Sequence, residues 1–367
     1  MALHVERPRV KPEHRPTRVG GNRIRLGGLV YGVGAEVEDP GGAVWTLLQA
    51  MDGSRTIDEV VGHVVDAHPH ERAAAVRSVL HRLVAAGHVE DAAGAGPVGL
   101  VERDLRRHER GRSFYRWVDP TPRASWWEPQ ARLKAARVTV VGVGGTGGNA
   151  ALALAASGVG RLHCVDDDVV ELSNLNRQIL FAEQDIGRPK VDAAVERLRS
   201  LNSDIAITGS SLLVTGEPDL TPLAAGCDVL LLCADRPAAI RTWVNRACLA
   251  TGTPWVEAGY HGPVASAVAY VPHRGACREC VALAERDRGA MPDPVEEPAA
   301  GDGVANAVIA PAAGVSGHLA AHLAIAVLTG AMPVSSGRIQ GLNLIAPDQH
   351  FLIEAERRPD CPACGGA

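Results

Sequence analysis

Residues 137–148 read RVTVVGVGGTGG, and this stretch decides the fold of the chain. Its valines predict a buried β-strand, because β-branched residues favour strands that are covered on both faces. Gly142, Gly144 and Gly147 follow as G-x-G-x-x-G, and the apolar segment 151–157 predicts a helix after them. Glycines at such a turn let backbone N–H groups approach a phosphate, and the helix dipole favours its charge. The stretch therefore predicts a nucleotide site in a parallel α/β sheet.

An acidic residue stands where such a site needs one. Asp166 ends the predicted strand RLHCVD, 19 residues after Gly147, where it can accept hydrogen bonds from ribose hydroxyls. By themselves these features predict an NAD-dependent oxidoreductase. A tight glycine turn without a ligand is the alternative.

The chain then carries more polar chemistry than a dinucleotide fold requires. Arg177 offers a planar fork and Lys190 a compact cation, and both suit phosphate. Asp235 follows the predicted buried strand 229–233, and a carboxylate at a strand end beside phosphates is a natural Mg²⁺ ligand. The segment VDDDVVELSNLNRQ contributes Asp166, Asp168, Asn174, Asn176, Arg177 and Gln178.

In order and spacing these motifs resemble the ThiF/MoeB/ubiquitin-activating superfamily over about residues 137–367. They are G-x-G-G-x-G, D-x-D-x-V-x-x-S-N-L-x-R-Q, G-x-P-K and a strand ending in C-x-D. The resemblance implies an α/β fold with a Rossmann-like, mostly parallel sheet and helices on both faces. It also implies activation of a C-terminal carboxylate with MgATP, which gives an acyl-adenylate and pyrophosphate.

The same resemblance assigns roles to single residues. Asp166 holds the ribose, while Arg177 and Lys190 stabilise the phosphates. Asp235 holds Mg²⁺ near the reacting α-phosphate. The expected nucleotide contacts are Gly142, Gly144, Gly145, Gly147, Asp166, Asp168, Asn174, Asn176, Arg177, Gln178, Lys190 and Asp235.

The superfamily also uses an arginine upstream of the first strand, commonly delivered across a homodimer interface. Here that stretch reads ERGRSFYRWVD and lacks the usual R-Q pair. Arg116 is the first candidate for this catalytic arginine and Arg112 the second. Either could instead cap the preceding segment or pair with Asp119.

Two C-x-x-C pairs predict a structural zinc site, because each supplies two thiolates to one tetrahedral Zn²⁺. The predicted ligands are Cys277, Cys280, Cys361 and Cys364. Some relatives pass the acyl group to a cysteine in the loop after the first pair, but this chain has none between Cys280 and Cys361. The remaining cysteines, at positions 164, 227, 233 and 248, lie in or beside apolar segments. We therefore expect no thioester intermediate at the usual position. The adenylate would instead pass to an external nucleophile, a partner enzyme or a second group on the substrate.

The residues before this region predict a smaller α+β domain of winged-helix type over 21–95. Residues 1–20 predict a basic arm or edge strand, and 96–136 a polar connector before the adenylation domain, 137–367. Thr56 and Glu59 form a capping box at a helix start. Residues 20–92 resemble PqqD-like domains, which implies that a leader peptide binds as an added β-strand. DNA binding and simple packing are the alternatives.

Composition limits the remaining classes. The chain has 367 residues, of which 46% are hydrophobic and 22% charged, and this composition favours a folded globular protein. Its net charge of −5 gives it no overall positive field that would attract nucleic acid. No signal peptide or membrane span is predicted, and the apolar segment at about 308–329 predicts a buried helix. Residues 284–303 predict a proline- and acid-rich loop. The eight cysteines then favour a reducing compartment, the cytoplasm.

Together these observations predict adenylation of the C-terminal carboxylate of a ribosomally made precursor peptide, with ATP, Mg²⁺ and Zn²⁺. This arrangement resembles microcin C-type peptide adenylyltransferases and the ThiF-like partners of azoline-forming cyclodehydratases. One alternative is a non-catalytic partner that delivers the leader peptide to a separate modifying enzyme. The other is an enzyme that activates a ubiquitin-like sulfur carrier. The chain has only three lysines, Lys11, Lys134 and Lys190, and only the last has a predicted role.

Overall fold

The computed structural model describes residues 5–94, 96, 98–287, 307–346 and 348–365. It divides the chain into two units, Met1–Ala131 and Arg132–Ala367. The boundary falls inside the predicted connector.

The first unit combines two small sheets with helices. Its order is β1 (Pro8–Val10), β2 (Thr17–Val19), β3 (Arg23–Leu26), β4 (Ala35–Glu38), α1 (Ala43–Ala50), α2 (Ile57–Ala67), α3 (Ala73–Ala85), β5 (Val89–Asp91) and α4 (Glu102–Val118), and α5 (Glu128–Ala135) crosses the boundary. β2, β3 and β4 form an antiparallel meander, while β1 pairs with β5. The predicted small α+β unit is confirmed.

Local chemistry explains where α2 begins. The Thr56 hydroxyl accepts a hydrogen bond from the Glu59 N–H at 3.4 Å, and the Glu59 carboxylate accepts one from the Thr56 N–H at 2.8 Å. This is the capping box expected from the sequence, and it satisfies donors that the first helical turn leaves free. The three helices bury one apolar cluster that includes Leu47, Val60 and Leu80.

Two segments at the ends of this unit are more ordered than the sequence suggested. Of the two alternatives for the N-terminal segment, a basic arm or an edge strand, the structure contains a strand, because β1 pairs with β5 in antiparallel register, with Arg9 opposite Glu90. The polar residues of the predicted connector, 96–136, contain the whole of α4 and of α5. The sequence pattern did not indicate these helices, because α4 is polar around most of its surface.

A buried polar network ties the N-terminal segment to α4 and β5. The Nε2 of His14 lies 2.8 Å from the Trp117 carbonyl oxygen, and its Nδ1 lies 2.9 Å from the Nδ1 of His88. A carbonyl only accepts, so the Nε2 of His14 carries the proton and its Nδ1 accepts from the Nδ1–H of His88. Burial lowers the pKa of both imidazoles, that of His88 to about 4.

The second unit contains a single eight-stranded sheet with helices on its faces. Its order is β6 (Arg137–Val141), α6 (Gly145–Ser157), β7 (Arg161–Val165), α7 (Lys190–Leu201), β8 (Ala206–Ser210), α8 (Glu217–Ala225), β9 (Val229–Leu232), α9 (Ile240–Thr251), β10 (Trp255–His261), β11 (Val264–Tyr270), α10 (Arg278–Asp287), α11 (Ala310–Thr329), β12 (Ile339–Asn343) and β13 (His350–Ile353). The spatial order is β13-β12-β11-β10-β9-β6-β7-β8. The five strands from β8 to β10 are parallel in the Rossmann order, and β11 to β13 extend the sheet antiparallel. The predicted α/β fold class is confirmed.

Helix α11 packs closely on α6, which explains its small residues. A Cβ on Gly317 would lie 2.4 Å from the Thr146 carbonyl oxygen, so only glycine permits this approach. The Thr146 and Ser316 hydroxyls share a hydrogen bond of 2.8 Å across the contact. Among the described residues, α11 is the helix long and apolar enough to span a membrane, but more than half of it is buried inside the unit. The expected buried helix is confirmed.

The acid-rich loop expected over 284–303 is only partly observed. Residues 284–287 form the end of α10, so the first part of that prediction is wrong. The remaining residues of this loop lie outside the described part of the chain.

The two buried histidines predict acid sensitivity of the first unit. The pKa of His88 is lower in the folded state than its ordinary value of 6.5, so the unfolded chain binds more protons as pH falls towards 4. Between pH 7.5 and 5.0, amide exchange in 86–92 and 102–118 should rise roughly tenfold beyond the intrinsic rate, by mass spectrometry. His88→Asn keeps a donor near Nδ1 but cannot titrate, so it should weaken this pH dependence. An unchanged pH dependence in the variant would contradict the assignment.

Candidate active site and metal centre

The predicted site residues follow three adjacent parallel strands. The glycine-rich loop follows β6, Asp166 follows β7 and Asp235 follows β9, and β6 pairs with both of the other strands. The chain crosses from β6 to β7 on one side and reaches β9 on the other, so this is a topological switch point. Ligands of open α/β sheets bind in the crevice at the carboxyl ends of the strands at such a point.

Glycine is required at two positions of the loop. Gly142 has a φ of +86°, and a Cβ there would lie 2.7 Å from the Ala234 nitrogen. A Cβ on Gly147 would lie 1.8 Å from the Gly142 carbonyl oxygen. The first residue makes the turn, and the second lets α6 start against the loop.

Asp166 fixes the loop through both of its carboxylate oxygens. Oδ2 accepts a hydrogen bond from the Val143 N–H at 2.8 Å, and Oδ1 accepts one from the Asp168 N–H at 3.0 Å. Burial raises the pKa of Asp166, while the charge of Lys190 and the two N–H donors act in the opposite direction. Each oxygen keeps a lone pair for a ribose hydroxyl.

Lys190 begins α7 and points back towards the end of β7. Its Nζ lies 2.7 Å from Oδ2 of Asp168, and only 7% of the lysine side chain is exposed, against 66% for the aspartate. The Lys190 N–H also donates to the Asp168 carbonyl at 2.9 Å. Lys190 is therefore positioned both by the ion pair with the Asp168 carboxylate and by the hydrogen bond to the Asp168 carbonyl.

The segment between β7 and α7 presents Arg177 beside the loop. Its guanidinium donates to the Ser173 carbonyl and to Oδ1 of Asn176, both at 2.9 Å. Asn174 is buried and uses its Oδ1 to accept from the Glu171 N–H at 3.1 Å, so its contribution is to the shape of the segment.

The first turn of α6 provides a space that fits a phosphate. Gly144 precedes the helix, and no side chain caps its N–H groups. A Cβ on Gly144 would meet the Gln178 amide at 3.5 Å, and Oε1 of this buried glutamine has no hydrogen-bond partner among the described residues. Free N–H groups and two nearby cations suit the phosphates of a nucleotide. Oε1 of Gln178 is an acceptor, so it would need a hydroxyl or amino donor instead.

Carboxylates available for a divalent cation lie on two loops. Asp235 is exposed and follows directly after Ala234, which contacts the glycine turn. The carboxylates of Asp166, Asp167 and Asp168 lie within 4.8 Å of one another. Asp167 was not singled out from the sequence, although it lies between two residues that were.

Tyr260 was missed entirely. It lies near the carboxyl end of β10, and its hydroxyl is 3.6 Å from the point that a Cβ on Gly145 would occupy. No motif marks a single tyrosine on a strand, so the sequence carried no signal for it.

The two candidate arginines belong to the first unit. Arg116 makes a bidentate ion pair with Glu13 at 2.6 and 2.7 Å and lies 3.8 Å from Glu90. Its pairing partner is thus not Asp119, which instead binds Arg123. The guanidinium of Arg112 lies 4.8 Å from the centre of the Trp127 ring, and its Nε has no hydrogen-bond partner among the described residues.

Four thiols form a separate cluster at the other end of the unit. The Sγ atoms of Cys277 and Cys280 are 3.8 Å apart, and those of Cys361 and Cys364 lie 3.6 and 3.4 Å from them respectively. A tetrahedral ZnS₄ centre has S···S edges of about 3.8 Å, whereas a disulfide is far shorter. The cluster is compatible with zinc, which would attach the C-terminal segment to α10.

Comparison with known proteins agrees with this geometry. The ThiF family model matches residues 121–363. The sulfur carrier protein ThiS adenylyltransferase of Escherichia coli is 37% identical over 241 residues, 65% of this chain and 89% of the relative. The molybdopterin-synthase adenylyltransferase of Escherichia coli is 33% identical over 240 residues, 65% of this chain and 91% of the relative. The vegetative HesA protein of Trichormus variabilis is 35% identical over 243 residues, 65% of this chain and 84% of the relative.

Solved structures extend the likeness over both units. Escherichia coli MccB with ATP has a TM-score of 0.78 at 22% identity, covering 98% of this chain and 99% of that one. The microcin C7 biosynthetic enzyme MccB in complex with N-formylated MccA has a TM-score of 0.77 at 22% identity, with the same coverage. At this identity the likeness establishes the fold.

The thiol cluster predicts that zinc stabilises the second unit. Cys364→Ser should reduce the zinc content, measured by plasma mass spectrometry, and lower Tm by about 10 °C or more. Cys227→Ser is the matched control, because this buried cysteine lies outside the cluster and a serine can still donate to the Ala224 carbonyl. Zinc-free wild-type protein with the same Tm as the zinc-loaded wild type would exclude a stabilising metal.

Proposed function

The chain belongs to the ThiF family and is an ATP-dependent adenylyltransferase, and we propose that it activates the C-terminal carboxylate of a ribosomally made precursor peptide. The observation that carries this proposal is the loop after β6, where the uncapped first turn of α6 lies beside Arg177 and Lys190 is held at the end of β7 by Asp168. A likeness to MccB over nearly the whole chain supports a peptide as the substrate class.

Positioning accounts for most of the proposed chemistry. The substrate carboxylate is already a nucleophile, so the site has to hold it in line with the α-phosphate of ATP. Asp166 receives the ribose, and the N–H groups of α6 receive the phosphates. Lys190 and Arg177 stabilise the charge that moves to the pyrophosphate leaving group. Mg²⁺ bound by Asp235, with Asp168 a second candidate ligand, would neutralise phosphate oxygens.

The first unit supplies surfaces suited to peptide recognition. β2 and β4 each pair with β3 alone, so among the described strands each leaves one edge unpaired. An unpaired edge can bind an extended leader peptide through main-chain hydrogen bonds. This fits the resemblance of residues 20–92 to PqqD-like domains.

No thiol in the adenylation domain is suited to take the acyl group. Cys233 lies closest to the loop, 3.0 Å from the point that a Cβ on Gly147 would occupy, and burial raises its pKa to about 12. Burial likewise raises the pKa of Cys164 to about 12. The adenylate would therefore pass to a group on the substrate or on a partner enzyme.

The proposal includes a homodimer in the cytoplasm, in which an upstream arginine reaches the site of the other subunit. Arg112 fits this role better than Arg116, because its Nε has no partner among the described residues and Arg116 is committed to Glu13. Four cysteines available as zinc ligands support a reducing compartment.

Relatives named for sulfur-carrier activation provide the second candidate function. The ThiS adenylyltransferase is 37% identical to this chain over 65% of it. The part of the first unit before residue 121 lies outside the ThiF family match, and this part favours the peptide.

A pyrophosphate-release assay distinguishes these functions. We expect release with a precursor peptide encoded beside the gene, and a KM at least about tenfold higher when its leader is removed. Release with Escherichia coli ThiS but not with the peptide would support sulfur-carrier activation. Tight peptide binding without ATP consumption would support a non-catalytic partner.

Lys190→Arg tests the phosphate contact in a chain that uses arginine almost everywhere else. The planar guanidinium cannot occupy the position of a buried ammonium beside Asp168, so kcat/KM for pyrophosphate release should fall about 100-fold without loss of Tm. Lys134→Arg is the matched control, since Nζ of Lys134 lies 3.4 Å from the Asp204 carbonyl in the same unit. Equal activity of both variants would remove Lys190 from the mechanism.

A further inference from the structure

Tyr260 lies at the edge of the sheet where the glycine-rich loop and Asp235 also lie. It is the sixth residue of β10, which runs parallel to β9, and β9 runs parallel to β6. Parallel neighbours end at the same edge, so the end of β10 opens into the crevice of the nucleotide site. Asp166 follows β7, on the opposite side of β6, so Tyr260 and Asp166 flank the loop from two sides.

The Tyr260 hydroxyl lies beside the first turn of α6. The point that a Cβ on Gly145 would occupy is 3.6 Å from this hydroxyl, 3.7 Å from Cγ of Arg177 and 3.1 Å from the Ala313 methyl. Four elements therefore converge there: the start of α6, the start of α11, the end of β10 and the segment that carries Arg177. Because Gly145 has no side chain, nothing from that residue fills the space between the hydroxyl and the first turn of α6.

The hydroxyl has no hydrogen-bond partner among the described residues, although the residue is half-buried. A half-buried tyrosine can pack its ring on apolar surface and leave its O–H group available to a partner in the crevice. Its surroundings are the start of a helix and an arginine, which together favour an anion. A phenol there can donate to an anionic oxygen without adding charge.

We propose that the Tyr260 hydroxyl donates a hydrogen bond to a phosphate oxygen of bound ATP, beside Arg177 and the first turn of α6. This inference rests on the use of ATP by the chain, and it adds a substrate contact that no motif indicates. Asp166 fixes the ribose end of the nucleotide on one side of the loop, and Tyr260 fixes the phosphate end on the other.

Tyr260→Phe tests the contact, because it removes the hydroxyl and keeps the ring. We would measure the Kd of adenosine, AMP, ADP and ATP with Mg²⁺ by calorimetry for the full chain. The Kd of ATP should rise about tenfold while that of adenosine stays unchanged, since one hydrogen bond to a charged group is lost. Tyr31→Phe makes the same chemical change at a fully exposed residue, and its Kd values should match the wild type. Matching Tm values would show that the variants fold alike.

Equal ATP affinity of Tyr260→Phe and the wild type would overturn the proposal. An equal loss for adenosine and ATP would overturn it as well, since that result indicates a structural role. If ATP binding weakens as expected but no peptide supports pyrophosphate release, the phosphate contact stands and the peptide substrate is wrong. If a peptide supports release and the variant binds ATP normally, the peptide substrate stands and the contact is wrong.

Discussion

The carboxylate of Asp166 is the interaction on which the active site depends. It binds the Val143 N–H of the glycine-rich loop and the Asp168 N–H of its own turn, so it joins the ends of β6 and β7. Together with the hydrogen bond of the Gly142 N–H to the Val165 carbonyl, this link fixes the loop after Gly142 relative to Asp168 and Lys190. Burying this carboxylate is unfavourable, and the raised pKa of Asp166 reflects that burial. The nearby positive charge of Lys190 offsets part of the unfavourable burial. A ribose would be recognised by a group that is already immobile, and this preorganisation limits the entropy lost on binding.

The rest of the second unit supports that site from outside. Helix α11 packs so closely on α6 that Gly317 has no room for a side chain, and the start of α11 places Ala313 against Gly145. The antiparallel strands β11, β12 and β13 cover the side of β10, which fixes the strand that carries Tyr260. The thiol cluster then attaches residues 361–364 to α10. The candidate nucleotide site and the thiol cluster consist of different residues, so loss of a zinc ion bound by the cluster should act through folding.

Features of the site that are encoded locally could be predicted from the sequence. The turn at Gly142, the close approach at Gly147, the capping box at Thr56 and the two C-x-x-C pairs each depend on residues a few positions apart. Contacts between distant segments could not be predicted. Examples are the pairing of β1 with β5 and the ion pair of Arg116 with Glu13, in which the partners are far apart in the chain. Tyr260 belongs to the same class, because its importance depends on where β10 lies in the sheet.

The central claim is that a substrate carboxylate attacks the α-phosphate of ATP. A precursor peptide labelled with ¹⁸O in its C-terminal carboxylate tests it directly. Attack on the α-phosphate transfers one labelled oxygen to AMP when the acyl group leaves, and mass spectrometry of the released AMP should show a gain of 2 Da. Unlabelled AMP, or ADP together with labelled phosphate, would contradict adenylation and with it this account of the site.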